Sequence, residues 1–400
     1  NLPGKTPVER DLIVEGIRSI MVAPLFNQKE SVIGLLEIGS SRPFELHSFT
    51  EVKFREIISL FSLAIERSRE EVDNQIEAII REQFTAVHPT VEWKFIDVAY
   101  NLLEKREGNK GRATIEPIAF HDVYPLYGQA DIVSSSDKRN TAIQADLIEN
   151  LRLLQRVIGR CLEFIQFPLL NQFRMKIERG ISELEREFNS GDESRIVEML
   201  HHEIHPMLEN LKTSNPDLAG IVSGYFNRLD AELGIIYRKR KAYEESVALV
   251  NSTISNYLEE EDRAMQAVMP HYFEKFQTDG VEYNLYLGQS LLAEGEFHEF
   301  YLRDFRLWQL ILMCGITRLV GREAKGFPMP LTTAQLIFVY NSSLSIRFQM
   351  DEKQFDVDGA YNVRYEILKK RIDKAYIKGT RERLTQAGKI AIVWLQEKDR

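Results

Sequence analysis

The sequence predicts an α+β protein that is predominantly helical. Three observations carry this. Apolar residues recur every three or four positions over long stretches, above all 50–85 and 140–325. Two short apolar runs joined by a polar turn stand near the start, and strand-like runs flank a helix-like one near the end. The expected architecture is a partial antiparallel sheet, a central helical bundle and a C-terminal ββαβ unit. Hydrophobic residues make up 44% and charged residues 28% of the 400, the balance of a globular protein with room for about two or three domains.

The start reads most clearly. Residues 16–25 (GIRSIMVAPL) are rich in strand formers and close on a proline, 27–30 are a polar turn, and 31–40 (SVIGLLEIGS) read as a second strand. A helix start follows, with Thr50 as cap and Glu51 in the first turn. The run GIRSIMVAPL…VIGLLEIGSSRPFELHSFTEVKFREIISLFSLAIER resembles the C-terminal half of GAF domains. That resemblance covers roughly residues 15–70. It implies part of an antiparallel sheet flanked by helices, in a family that commonly binds small ligands or mediates dimerisation in signalling proteins. It also implies that the natural chain extends upstream of Asn1. The whole chain is similar to bacterial GAF-domain-containing proteins with a large C-terminal region, a likeness that implies no particular activity.

From 50 to 85 the seam Phe54, Ile57, Phe61, Ala64, Ser68, Val72, Ile76, Ile79 and Gln83 steps by three or four, with no glycine or proline. At ~1.5 Å per residue it reaches about 50 Å. Two readings stand: a connecting helix that dimerises through Phe54, Ile57 and Phe61, or a core helix of one large fold. The expected divisions are 1–70 for the GAF-like half, 50–87 for the connecting helix overlapping its end, and 88–139 for a mixed region with a polar loop. A helical bundle over 140–325 and a small α/β unit over 326–400 complete them.

Within these, 91–103 read as a short helix, 105–112 as a polar turn and 113–120 as extended. Helix breaks fall at Pro168, 189–192, 214–217 and Pro270. Asp192 or Ser194 is a cap, Asn215-Pro216 starts a helix, and 218–261 read as one very long helix. In the tail, 335–340 and 344–348 read as strands, 360–376 as a helix and 388–394 as a last strand.

Several function classes are excluded or disfavoured. The formal net charge of -9 disfavours a nucleic-acid partner. The apolar run 307–320 is too short and too charged to span a bilayer, and reads as a buried core helix. The first residues have no apolar signal core. Cys161 and Cys314 read as two buried free thiols of a reducing cytosol, and no CxxC pair exists. Phosphate-loop, dinucleotide-fingerprint and nucleophile-elbow motifs are absent.

Three stretches carry candidate chemistry. Residues 124–140 gather aromatics, hydroxyls, an amide and charge before a helix. Tyr124, Tyr127, Gln129, Asp131, Ser134 and Arg139 are candidate ligand-binding residues for a small anion, since amides at a helix start and an arginine fork attract one. The bland alternative is a structural loop whose Ser136 or Asp137 caps the next helix. Glu198, His201 and His205 have the spacing of a metal set, against solvated helix histidines, and no second Glu-x-x-His motif accompanies them. Residues 354–359 lack the first and twelfth ligands of a calcium loop and read as a turn. The sequence names no cofactor.

The expected function is therefore a non-enzymatic, cytoplasmic signalling protein. It would form a homodimer and use its helical region for a partner or small ligand, with no nucleic acid and no membrane insertion. The alternative is a metal-binding helical-bundle enzyme or oxygen-binding protein using His201 and His205.

Overall fold

A capping box at Thr6 begins the first element, which the sequence reading did not anticipate. Glu9 N–H donates to Thr6 Oγ1 (3.2 Å) while the Glu9 carboxylate accepts from Thr6 N–H (3.0 Å), starting α1 (Pro7–Val14). The expected hairpin follows as β1 (Ser19–Phe26) and β2 (Val32–Ser40), antiparallel, its turn held by Asn27 Oδ1 accepting from Lys29 and Ser31 N–H. Then come α2 (Ser48–Gln83) and α3 (Pro89–Gly108). The computed structural model describes residues 5–46, 48–84, 87–108, 114–189, 191–372, 375–394 and 397. His47, Thr85 and the second half of the expected 105–112 turn (109–112) lie outside them, and its first half, Lys105 to Gly108, belongs to α3.

The chain forms two compact units, Asn1–Ile118 with Phe348–Phe355, and Ala119–Arg347 with Asp356–Arg400. In the first, α2 packs on β1 and β2, and Leu25 and Phe54 are buried. Phe84, Phe95, Phe348 and Phe355 meet edge to face at centroid distances of 4.9 to 6.1 Å. The expected dimer seam is thereby divided. Phe54 is 5% exposed inside its own unit, whereas Ile57 and Phe61, one and two turns on, are 44% and 45% exposed.

The second unit is built on β3 (Ala119–Ile132). A two-residue turn leads into α4 (Ser135–Phe164), followed by α5 (Pro168–Arg186), α6 (Asp192–Glu198) and a π-helical turn, Met199–Ile204. Then come α7 (His205–Ser214), α8 (Pro216–Phe226), α9 (Lys239–Gln266), β4 (Tyr272–Thr278), β5 (Gly280–Leu287) and α10 (Glu299–Glu323). The chain continues with β6 (Thr333–Val339), β7 (Leu344–Gln349), β8 (Gln354–Val357), α11 (Ala360–Ile372) and β9 (Ile390–Trp394), the stretch Phe348–Phe355 belonging to the first unit. Among the described residues the larger sheet has the order β4-β5-β3-β6-β9, antiparallel except for β6–β9, with β7 pairing the first part of β3 and β8 pairing β7. The chain is α+β and predominantly helical, with one small antiparallel sheet and this larger mixed one.

Two cores result. The apolar face of β3, β5 and β6 packs on α9 and α10, with Leu126, Ala130, Leu285, Ile337, Leu312 and Met313 at its centre. Gly128 is required there, because a Cβ would run into Met313 and the Tyr283 ring. The second core joins α4, α5, α7 and α8 through residues such as Leu151, Leu154, Ile177 and Val222.

Several expectations are corrected. Residues 124–132 are the central strand, not a polar loop, because Tyr127, Gln129 and Asp131 alternate with the core-facing Leu126, Gly128, Ala130 and Ile132. Residues 272–287, expected inside the bundle, are a hairpin of the sheet. The tail strands join that same sheet rather than forming a unit of their own. The helix expected over 218–261 breaks at 227–238, where Gly234 takes φ +62° and, from α4, the buried Asn150 amide oxygen and Asp146 carboxylate accept from Ile236 and Arg238 N–H. Asn215 does cap α8, its Oδ1 accepting from Asp217 N–H. The expected core helix α10 buries only one face. Leu307, Ile311 and Cys314 lie on its exposed side, so only Cys161 is a buried thiol. No helix among the described residues is long and apolar enough to cross a membrane.

Candidate functional site

The end of β3, the β4–β5 turn and the start of α4 meet at one place. Thr278 pairs with Gly280 across that turn, leaving Asp279 alone at its tip. Gly280 sits opposite Asp131 in the ladder, and Ile132 N–H donates to Asp279 O at 2.9 Å. This approach requires glycine: φ is +153° and a Cβ would strike the Ala130 carbonyl and, at 2.8 Å, Asp131 Cα. The sequence Asp279-Gly280 therefore brings a second carboxylate beside the end of β3.

The chain then turns through Val133 and Ser134. Ser134 adopts the left-handed conformation (φ 54°, ψ 38°), a strained choice for a residue with a side chain, and makes no side-chain cap on α4. The amides of the first turn of α4 thus lack the usual local acceptor. Ser135, nearly buried, donates to Asp279 and shares a 2.9 Å hydrogen bond with the Tyr243 hydroxyl of α9. Burial pushes that hydroxyl above its ordinary range, and the nearby Asp279 and Asp131 carboxylates push it further.

Beside them lies a cleft of about 620 Å³ with Asp131, Ser134, Ser135, Asp279, Tyr376 and Arg383 on its walls. Arg383 reaches it from the irregular segment after α11, its guanidinium 5.5 Å from the centre of the Tyr376 ring, and makes no ion pair among the described residues. Two carboxylates, serine hydroxyls, a helix start and a guanidinium fork on one cleft are a set of ligands for a cation and a phosphate together.

Of the six residues expected to bind a ligand, Asp131 and Ser134 line this cleft. Tyr127 and Gln129 lie further along the same face of β3, the Tyr127 hydroxyl donating to Gln129 (3.2 Å) and Glu282 (3.1 Å). Tyr124 is on the opposite face, stacked on Phe297. Arg139 is exposed on α4, close enough to act on Tyr243 but not on the cleft wall. Asp279, Tyr376 and Arg383 were not expected. The Asp-Gly pair was the signal for the first, and nothing local announces the other two.

The histidine cluster has a different geometry. His201 and His205 rings lie 5.5 Å apart, His201 Nε2 bonding Leu233 O (3.0 Å) and His205 Nε2 the Tyr225 hydroxyl (2.9 Å). Burial lowers His205 to about 4, His201 adds to this and Glu209 opposes it. Met199–Ile204, which holds His201, is a π-helical turn, and Glu198 lines a hollow with His202 and not with His201. No group of three His, Cys, Asp or Glu among the described residues is arranged to hold a metal ion. No family model, curated protein or solved structure matches the chain.

Proposed function

We propose that the chain is a regulatory protein whose second unit binds a phosphate-bearing small molecule together with a divalent cation. Asp131 and Asp279 are the cation's protein ligands, and the start of α4 and Arg383 receive the phosphate. One observation carries this reading: both carboxylates, the uncapped helix start and the arginine line one cleft. Magnesium is commonly held by one or two carboxylates plus phosphate oxygens, so two aspartates suffice. A divalent cation held by Asp131 and Asp279 would supply charge neutralisation for a bound phosphate.

The first unit supplies regulation in this reading. The β1–β2 hairpin running into the 36-residue α2 supports a GAF-like sensory half. The exposed Ile57, Leu60 and Phe61 support a homodimer through α2. Two free cysteines suit a cytoplasmic setting.

The test is a Mn²⁺ titration followed by electron paramagnetic resonance, with and without inorganic pyrophosphate. One Mn²⁺ per chain, tightened by pyrophosphate and lost in Asp131→Asn and in Asp279→Asn, is the expected result. Mn²⁺ binding indifferent to both substitutions would overturn the reading.

A further inference from the structure

A second hollow, of about 340 Å³, lies between α4 and the turn that joins α8 to α9. Four cations face it: Arg156 on α4, Arg228 after α8, and Arg238 and Lys241 at the start of α9. Two carboxylates share its wall, so the cations outnumber them four to two. Glu149 pairs with Arg238 at 2.9 Å, and Asp230 Oδ1 accepts from the backbone N–H groups of Glu232 and Leu233 at 3.0 Å each. Arg156, Arg228 and Lys241 make no ion pair or side-chain hydrogen bond among the described residues. Three unpaired cations thus converge in a chain whose formal net charge is -9.

Like charges held together raise the energy of the empty pocket, and an anion of matching charge relieves it. The fork of a guanidinium fits phosphate oxygens in pairs, and two of the three free cations are arginines. The floor is fixed by the buried Leu153 and Ile236, so the cations stand on a rigid base. The volume is at the small end for ligand pockets and suits a compact head group, not a nucleic-acid duplex.

We propose that this pocket binds a small polyanion of the diphosphate class without a metal ion. The cations of the pocket do here what a divalent ion does in the Asp131–Asp279 cleft. The diphosphate is either free or the tail of a nucleotide, and both present the same oxygens to Arg156, Arg228 and Lys241.

The experiment is isothermal titration of the full chain with inorganic pyrophosphate in EDTA and low salt, where the cleft has no cation to work with. One pyrophosphate per chain is expected. It is weakened about tenfold or more in the double variant Arg156→Gln/Arg228→Gln and far less in Arg383→Gln, which removes the arginine of the cleft. Lys241→Gln carries the same expectation should the double variant lose its circular dichroism spectrum. Repeating the titration with ADP names the source: tighter binding than pyrophosphate identifies a nucleotide, equal or weaker binding a free diphosphate. Absence of binding in EDTA overturns the proposal, as does binding that Arg383→Gln weakens as much as the double variant does. The cleft's own reading stands or falls separately, on the Mn²⁺ titration.

Discussion

The Oγ of Ser135 donates to the carboxylate of Asp279, 144 residues further along the chain. That bond ties the first residue of α4 to the tip of the β4–β5 turn, and the same hydroxyl touches Tyr243. Groups behind a metal ligand typically matter about 10- to 100-fold in metal affinity. Ser135→Ala is accordingly expected to weaken Mn²⁺ binding about tenfold. Tyr243→Phe, which leaves the Ser135–Asp279 bond in place, is expected to weaken it far less. Equal losses in the Mn²⁺ titration would show that Ser135 acts only by packing.

Gly280→Ala tests the close approach at the turn. The added methyl meets backbone, not a flexible side chain, so the hairpin must shift away from Asp131. The expected loss is about 1–3 kcal/mol, read as a lower urea midpoint, with weaker Mn²⁺ binding alongside. An unchanged midpoint would mean that the turn relaxes freely.

Asp146, 4% exposed on α4, accepts from the backbone N–H groups of Arg238, Lys239 and Arg240 at 2.9 to 3.1 Å and so starts α9 from another helix. Asp146→Ala leaves three amides without their acceptor. A loss of about 2–3 kcal/mol is expected in urea unfolding, above that of an ordinary surface cap. A loss of a few tenths would show that water replaces the carboxylate.

His205 gives the fold a pH dependence whose sign follows from its lowered value, about 4 against an ordinary 6.5. Above pH 6.5 the ring is neutral folded and unfolded, and nothing is lost. As pH falls below 6.5 the unfolded chain takes the proton first, so stability declines until pH 4, below which both states are protonated. For a half-buried ring the decline is about 1–2 kcal/mol after allowing for solvent screening. His205→Gln should flatten the unfolding midpoint between pH 6.5 and 5 relative to the parent. Identical slopes would remove His205 as the cause.

The double variant Ile57→Lys/Phe61→Lys places two charges on the exposed stripe of α2 and none in the core, where Phe54 sits. Native mass spectrometry is expected to find the parent as a dimer and the variant as a monomer. A variant that keeps the parent's oligomeric state rules out this stripe as the interface.

Much of this fold was legible locally. The Asn27 turn, the α2 seam and the Asn215-Pro216 start each announce themselves within a few residues. The central strand was harder, because the residues on one face of β3 (Tyr127, Gln129, Asp131) have the composition of a loop. Only the partners on β5 and β6 make it a strand. Half of the cleft was legible for the same reason. Asp131 and Ser134 precede a helix and could be suspected from that alone. Asp279 and Arg383 are brought there by pairings that no window of sequence contains, although Asp279-Gly280 is a hairpin signal in its own right.

The central place of β3 sets an order of events during synthesis. Its partners β5, β6 and β7 all leave the ribosome long after it does, so Ala119–Ile132 must wait as an unpaired, largely apolar segment. The helices from α4 to α9 emerge in between and make mostly near-neighbour contacts, which form fast, while the strand closes large loops, which is slow. The cleft is therefore among the last parts of the second unit to mature. A nascent chain stopped before β5 offers β3 as an adhesive edge, the species on which a chaperone would act.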